Sequence, residues 1–250
     1  MAASSIKVLV NADELLRHVA AHGAQTVADV ARGMSIPRPS VYRLVDALVQ
    51  GGWLAVDADN RVRLATDILR LAALAKAQNP LVRAAEEPLR DLRDLTGQTV
   101  YLCARRGDEV VCLERLQGLS VGLLELVPGG TLPPHAGAAA RAIAAYDATL
   151  RHVAVSGGLP TLTERTMTSA EDLEEDSRRV RERGYSLSDG DVTAGVAALG
   201  VPVRSPGGDL AGAVSLAGMR DEILRDVPGA VAALRAAAER ITADLEAARG

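Results

Sequence analysis

Residues 27–54 read VADVARGMSIPRPSVYRLVDALVQGGWL, and this stretch decides the reading of the chain. Val41, Leu44, Val45 and Leu48 fall at i, i+3, i+4 and i+7, one apolar stripe on a helix. The other side carries Pro39, Tyr42, Arg43, Asp46 and Gln50, with Arg38 at the tip. A helix anchored by one face, with an arginine-tipped free face, is a shape the DNA major groove accepts. Just upstream, Thr26 stands as an N-cap with Asp29 three residues on, close to a capping box. Val27, Val30, Ala31 and Met34 give that shorter helix its buried side, and Ser35-Ile36-Pro37 turns the chain. Pro37 and Pro39 sit where a helix start tolerates proline.

The apolar positions alone would also allow an ordinary helical hairpin, and Ser35 replaces the usual turn glycine. Residues 51–64 favour a helix-turn-helix. Gly51-Gly52 ends the helix. Trp53–Val56 and Val62–Leu64 then flank Asp57–Arg61, two short β runs around Asp and Asn turn residues. Helix-turn-helix plus hairpin makes a winged helix. Arg61 and Arg63 sit on or beside the wing. They meet phosphate or the minor groove there, or they are solvated charges; the sequence leaves both readings open.

Outward from this core, Asn11–Ala21 reads as a helix capped by Asn11. Thr66–Gln78 reads as another, with an apolar set (Ile68, Leu69, Leu71, Ala72, Leu74, Ala75) wider than one face needs, which suits a linker helix and a dimer contact. Asn79-Pro80 breaks it. A helix over 81–96 comes next, then strand-like runs at Thr99–Ala104, Glu109–Arg115 and Ser120–Val127. Helices are expected over Ala136–Tyr146, Asp147–Val155 and Thr168–Arg183, the last exposed and strongly charged with Ser169 as N-cap. Ser188-Asp189-Gly190-Asp191 reads as a loop. Strands at Val196–Val203 and Leu210–Ala217 precede a final helix with one packing stripe, Val231, Leu234, Ala238, Ile241 and Leu245. This is an α+β chain: residues 1–65 a winged helix-turn-helix domain, 66–80 a linker helix, and 81–250 a sheet domain of the kind that holds a small-molecule pocket.

Composition narrows the function. With 48% hydrophobic and 24% charged residues the chain reads as a globular protein, and its 250 residues suit two domains. The net charge of −4 makes no global case for nucleic acid. Residues 1–75 net +1 and the remainder −5, so DNA binding rests on local placement. Cys103 and Cys112 make no disulfide framework and read as buried thiols, with a redox sensor as the alternative. Neither a signal-peptide pattern nor an apolar run of ~18–20 residues is visible, which leads to the expectation of a cytoplasmic protein without a membrane partner. His18 and His22 share a helix face at a spacing a metal can use, but no Cys or acid is patterned to complete a site. His135 has no Ser or Cys nucleophile patterned with it, and no GxSxG, CxxC, HExxH or P-loop pattern occurs. The expectation is a non-enzyme with no cofactor and no metal.

Four features together resemble the IclR family of bacterial transcription regulators. They are the 26–54 stretch; LPPHAGAAARAIAAY at 132–146, similar to the family's Leu-Pro-x-His-Ala helix; RERGYSLSDGDVTAGVAALGVPVRSPGGDLAGAVSLAG at 181–218; and the spacing between them. The resemblance implies a GAF/PAS-like C-terminal effector domain, homodimers or dimers of dimers, and double-stranded operator DNA. Arg38, Pro39, Ser40, Tyr42 and Arg43 would face the major groove, with Arg61 and Arg63 on backbone or minor groove. Carried over by position, Val121, Leu132, Ala138, Ala139, Ser188, Asp189, Val196, Ala198, Ser215 and Ala217 would line the effector pocket. The chain departs from the family at Ala140-Arg141, at Ser188, at Ala197-Ala198 and at Ala217, losing hydrogen-bonding groups. That implies a small organic effector that is aromatic or less polar than a keto acid. The alternative is a degenerate, alanine-filled pocket in a domain that only oligomerises.

Overall fold

The computed structural model describes residues 6–119 and 126–247. The chain divides into two compact units, Met1–Ala75 and Lys76–Gly250. The first contains α1 (Lys7–His22), β1 (Gln25–Thr26), α2 (Val27–Gly33), α3 (Arg38–Gln50), β2 (Leu54–Val56) and β3 (Arg61–Leu64), and the division falls inside α4 (Asp67–Gln78). Leu15 and Val19 of α1, Val30 of α2, and Val41, Leu44 and Val45 of α3 close one core with Leu54 and Val62 of the wing. Thr26 caps α2: its hydroxyl accepts from the Asp29 N–H at 3.2 Å and donates to the Asp29 carboxylate at 2.7 Å. At the far end of α3, Gly52 takes φ +74 and the Trp53 N–H donates back to Leu48 O at 2.9 Å, a left-handed stop that suits glycine.

The wing turns on Asp57, whose carboxylate accepts from the N–H groups of Asp59 at 3.0 Å and Arg61 at 2.9 Å. Asn60 takes φ +56 there, a conformation asparagine tolerates better than most residues. Two expectations change. Helix α1 begins at Lys7, not Asn11, and has no side-chain cap. Gln25–Thr26 adds a third strand in the order β1-β3-β2, too short to carry a periodicity of its own.

The second unit carries α5 (Pro80–Thr96), β4 (Thr99–Arg106), β5 (Glu109–Leu116), β6 (Thr131–Leu132), α6 (Ala138–Tyr146), α7 (Ala148–Ser156), α8 (Ala170–Arg183), β7 (Ser186–Asp189), β8 (Val196–Arg204), β9 (Leu210–Met219), α9 (Arg220–Ile223) and α10 (Val227–Ala247). Asn79 breaks α4 and also caps α5, accepting from Leu81 N at 3.0 Å and Val82 N at 3.4 Å. The strands form one antiparallel sheet in the order β6-β5-β4-β9-β8-β7.

Alternation along each strand gives this sheet two unlike faces. On one, Val100, Leu102, Leu199, Val201, Val214 and Leu216 pack with Leu89 and Leu92 of α5 and Leu234 and Ile241 of α10. On the other, Tyr101, Cys103, Ala198, Ala213 and Ala217 face α6, in which Ala138 through Ala145 are all buried. Gly200 makes the second packing possible, because a Cβ there would lie 2.8 Å from the Ala138 carbonyl.

Three further expectations are corrected. Ser186–Asp189 is a strand paired with β8, where the Ser-Asp-Gly composition reads as a loop. Helix α8 is not simply a solvated face: Leu173, Asp176, Ser177 and Val180 are buried. Of the run expected over Ser120–Val127, residues 120–125 lie outside the described residues, and Leu126-Val127 carry no strand.

Candidate nucleic-acid interface and ligand cavity

On α3 the buried stripe leaves Arg38, Pro39, Tyr42 and Arg43 exposed and Ser40 half-buried. Arg38 lies over the Tyr42 ring, 5.9 Å from its centroid, with its guanidinium 3.5 Å from the phenol oxygen. Arg43 donates to Ser40 Oγ at 3.5 Å. These are long, weak contacts within the first turns of the helix, so both guanidinium groups are only loosely held. Arg61 and Arg63 are exposed on β3, and the only side-chain bond of Arg63 among the described residues goes to the Leu64 carbonyl at 3.4 Å. His18 and His22 stack at 4.2 Å, and His18 Nε2 lies 3.1 Å from Gln25 Oε1, tying α1 to the strand beside the wing.

In the second unit a cavity of about 330 Å³ opens between the alanine face of the sheet and the N-terminus of α6. Leu132, Ala138, Ala139, Ser188, Val196, Ala198, Ser215 and Ala217, all expected from the resemblance, line it together. Val121 lies outside the described residues. Asp189 is a correction, since it does not line the cavity. Neighbours on a strand point to opposite faces, so with Ser188 inward Asp189 points out. Its carboxylate is held by Arg220 at 2.7 Å and Arg165 at 2.8 Å. The hydrogen bond from Arg220, reinforced by both positive charges, holds its pKa below the usual carboxylate value.

The cavity also takes in Tyr101, Leu126, Thr131, Leu162, Val192 and Thr193, which sequence reasoning did not assign. For Tyr101 there was a signal. It sits between two apolar residues of a strand whose alternation puts it opposite Val100 and Leu102. Burial pushes its phenol up to about 12, against the pull of the nearby Arg115 charge. Neither the Tyr101 hydroxyl nor that of Ser215 has a hydrogen-bond partner among the described residues. Helix α6 is preceded by Gly137, φ +82, which offers no side-chain cap, so the amides of the first helical residues, from Ala138 on, are left for another acceptor. Its dipole adds a preference for negative charge there.

Behind the cavity wall, Arg141 of α6 reaches Asp176 of α8 at 2.9 Å and Asp191 at 2.9 Å. Ser188 donates to the other oxygen of Asp191, and the Gly137 N–H donates to the Arg141-bound one at 3.3 Å. Burial would lower the Arg141 pKa; the bonds to Asp176 and the two negative charges raise it overall. The departure at Arg141 therefore removes no polar function: it creates a buried ion triad that fixes α6 over the sheet. Cys103 and Cys112 face each other across β4 and β5, both buried. A hydrogen bond between them, then burial, push the Cys103 thiol well up, which makes it a poor nucleophile. Among the described residues no three His, Cys, Asp or Glu side chains converge as a metal site. No helix there is long and apolar enough to cross a membrane.

Comparison with known proteins respects the same division. Residues 8–58 match the model of the IclR helix-turn-helix domain, and residues 73–243 that of the bacterial transcriptional regulator IclR C-terminal region. The glycerol operon regulatory protein of Streptomyces coelicolor is 25% identical over 252 residues, covering 99% of both chains. An IclR transcriptional regulator from Alicyclobacillus acidocaldarius shares the fold with a TM-score of 0.83 at 24% identity, over 96% of this chain and 99% of that one. An IclR homologue from Microbacterium hydrocarbonoxydans, solved in complex with 4-hydroxybenzoate, gives a TM-score of 0.82 at 26% identity, again over 96% and 99%.

Proposed function

The chain belongs to the IclR family of helix-turn-helix transcriptional regulators, and from that premise we propose that a small, mainly apolar organic effector in the α6 cavity controls its hold on operator DNA. The observation that carries this reading is the cavity itself: about 330 Å³ of open space floored by alanines, beside the uncapped start of α6 and the unpartnered hydroxyls of Tyr101 and Ser215. Pockets for small organic ligands have this make-up, apolar walls with a few placed polar groups. The relative that holds 4-hydroxybenzoate supports an aromatic acid as the class to try first. A purely oligomerising domain would have let its alanines close that space, and it is open.

Operator contact is assigned to Arg38, Pro39, Ser40, Tyr42 and Arg43 in the major groove, with Arg61 and Arg63 on the backbone or minor groove. One such helix carries few charges, so affinity comes from pairing two of them. Helix α4 supports a homodimer: none of its residues is buried, and Leu69 is 70% exposed. On α1, Val8, Leu9 and Val10 are exposed as well. Domain limits at 1–65, 66–80 and 81–250 belong to this proposal, as does a cytoplasmic setting.

The test joins both halves. DNA from upstream of the gene and its neighbours is footprinted and its affinity measured with and without 4-hydroxybenzoate and related aromatic acids. Arg43→Ala is expected to weaken operator binding and relax its sequence preference, and Arg61→Ala to weaken all sites alike and lower the salt slope by about one. Ala198→Trp, which fills the cavity, is expected to remove the effector response while DNA affinity stays. A response that survives Ala198→Trp would overturn the cavity as the effector site.

A further inference from the structure

The register of the sheet lines up a row that crosses four strands on the cavity face. Gly200 of β8 pairs with Ser215 of β9, Ser215 with Tyr101 of β4, and Tyr101 with Arg115 of β5. Directly paired residues in an antiparallel sheet point to the same side. Arg115 therefore stands beside Tyr101 on the side of the sheet that holds the cavity, one strand further out. At ~4.8 Å per strand, Arg115 lies about 10 Å from Ser215 along the floor, measured at the backbone.

Arg115 has no ion pair and no side-chain hydrogen bond among the described residues, although its Nε is fully buried. Its backbone N–H donates to Glu114 Oε1 at 3.0 Å. A guanidinium with five donors, partly desolvated and without an acceptor, is costly to keep unless something pairs with it. Its charge is near enough to Tyr101 to pull on the phenol. Beside it the Tyr101 hydroxyl is a second unpartnered group, and Tyr101 lines the cavity.

We infer that Arg115 and Tyr101 form an anion-reading pole of this cavity, and that the effector is an elongated aromatic carboxylate. The inference rests on the proposed effector site and adds the charge and reach of the ligand. The guanidinium fork and the phenol O–H bind the carboxylate together, the pairing that arginine geometry favours. The apolar body lies over Ala198 and Ala217. A hydroxyl or second acid at the far end reaches Ser215 or the first amides of α6.

Matched probes of the full-length protein test this by calorimetry: 4-hydroxybenzoate and 4-hydroxycinnamate, each against its neutral carboxamide. Wild type is expected to prefer the acids by about tenfold or more. Arg115→Gln is expected to erase that preference by weakening the acids alone, and Arg115→Lys to restore part of it. Tyr101→Phe should lower it by a smaller factor. Circular dichroism on each variant checks the fold. If acids and amides bind equally to wild type, or if Arg115→Gln keeps the preference, the pole is wrong and the effector site stands. If no probe binds wild type or shifts its DNA affinity, the effector site falls, and this inference with it.

Discussion

Two neighbouring rows across the same sheet differ in every member. Leu187, Leu199, Leu216, Val100 and Leu116 form one, in register from β7 to β5. One residue along each strand, Ser186, Gly200, Ser215, Tyr101 and Arg115 form the other. The first row faces α5 and α10 and closes a core. The second faces α6, and its Ser215 and Tyr101 line a cavity. Both rows belong to one antiparallel ladder, so side-chain size and polarity decide which face closes as a core and which stays open. The lesson is that function here was made by subtraction. Small residues leave space between the sheet and α6. Of this row's polar groups only Ser186 is satisfied, donating to the Ala138 carbonyl at 2.6 Å, while the Ser215 and Tyr101 hydroxyls and the Arg115 guanidinium have no hydrogen-bond partner among the described residues.

The largest expected effect breaks the comparison from the closed side. Leu199→Ala removes a fully buried side chain on the first row. It should cost about 3 kcal/mol in denaturant unfolding, within the range for leucine truncation in a packed core. The converse swap sharpens it. Ser215→Leu on the second row adds bulk where there is already a void and removes a hydroxyl with no partner. It should change stability by less than ~1.5 kcal/mol and abolish binding of aromatic acids. Should Ser215→Leu prove as costly as Leu199→Ala, the open face is better packed than its cavity implies.

Next in size is an alkaline effect confined to the polar row. Burial raises the Tyr101 phenol to about 12 in the folded protein, against an ordinary value near 10. Its neutral form is the one the fold accommodates. Stability from keeping it neutral is full below pH 10 and is lost as pH rises from 10 to about 12. Tyr101→Phe should flatten that alkaline fall. In wild type, one tyrosine should be missing from the ultraviolet titration near pH 10.

The helix-turn-helix was legible because its determinants are local. The stripe Val41, Leu44, Val45 and Leu48, the Thr26–Asp29 cap and the Asp57 turn all lie within a few residues of what they control. The cavity was half legible. Resemblance supplied eight of its lining residues, among them Ala138 and Ala198. Tyr101 was missed because a site residue on β4 is defined by which strand pairs with which, and at what register. That information sits about 100 residues away in β9. Arg141 shows the same limit: its partners Asp176 and Asp191 lie 35 and 50 residues downstream. Asp189 failed for a different reason. A family position was carried over, but Ser-Leu-Ser-Asp is a strand here, and its alternation turns the carboxylate outward.

The smallest expected effect belongs to that same Asp189, and it separates the rows at the edge of the sheet. Ser186 and Ser188 of β7 point toward α6; Leu187 and Asp189 point away. Asp189 bridges Arg165 and Arg220, both of them substantially exposed, so the pairing is screened and worth no more than ~1 kcal/mol. Its folded pKa is depressed. The stabilisation it gives is therefore present above its unfolded value near 4, and is lost as pH falls through the lower folded value. Asp189→Asn should show a small loss at pH 7 that vanishes in acid, measured as the difference in unfolding midpoint from wild type. The same variant should bind aromatic acids as wild type does, because its side chain lies outside the cavity. A changed affinity would mean that the β7 edge transmits to the site, and the contrast between the rows would then no longer be one of side-chain direction alone.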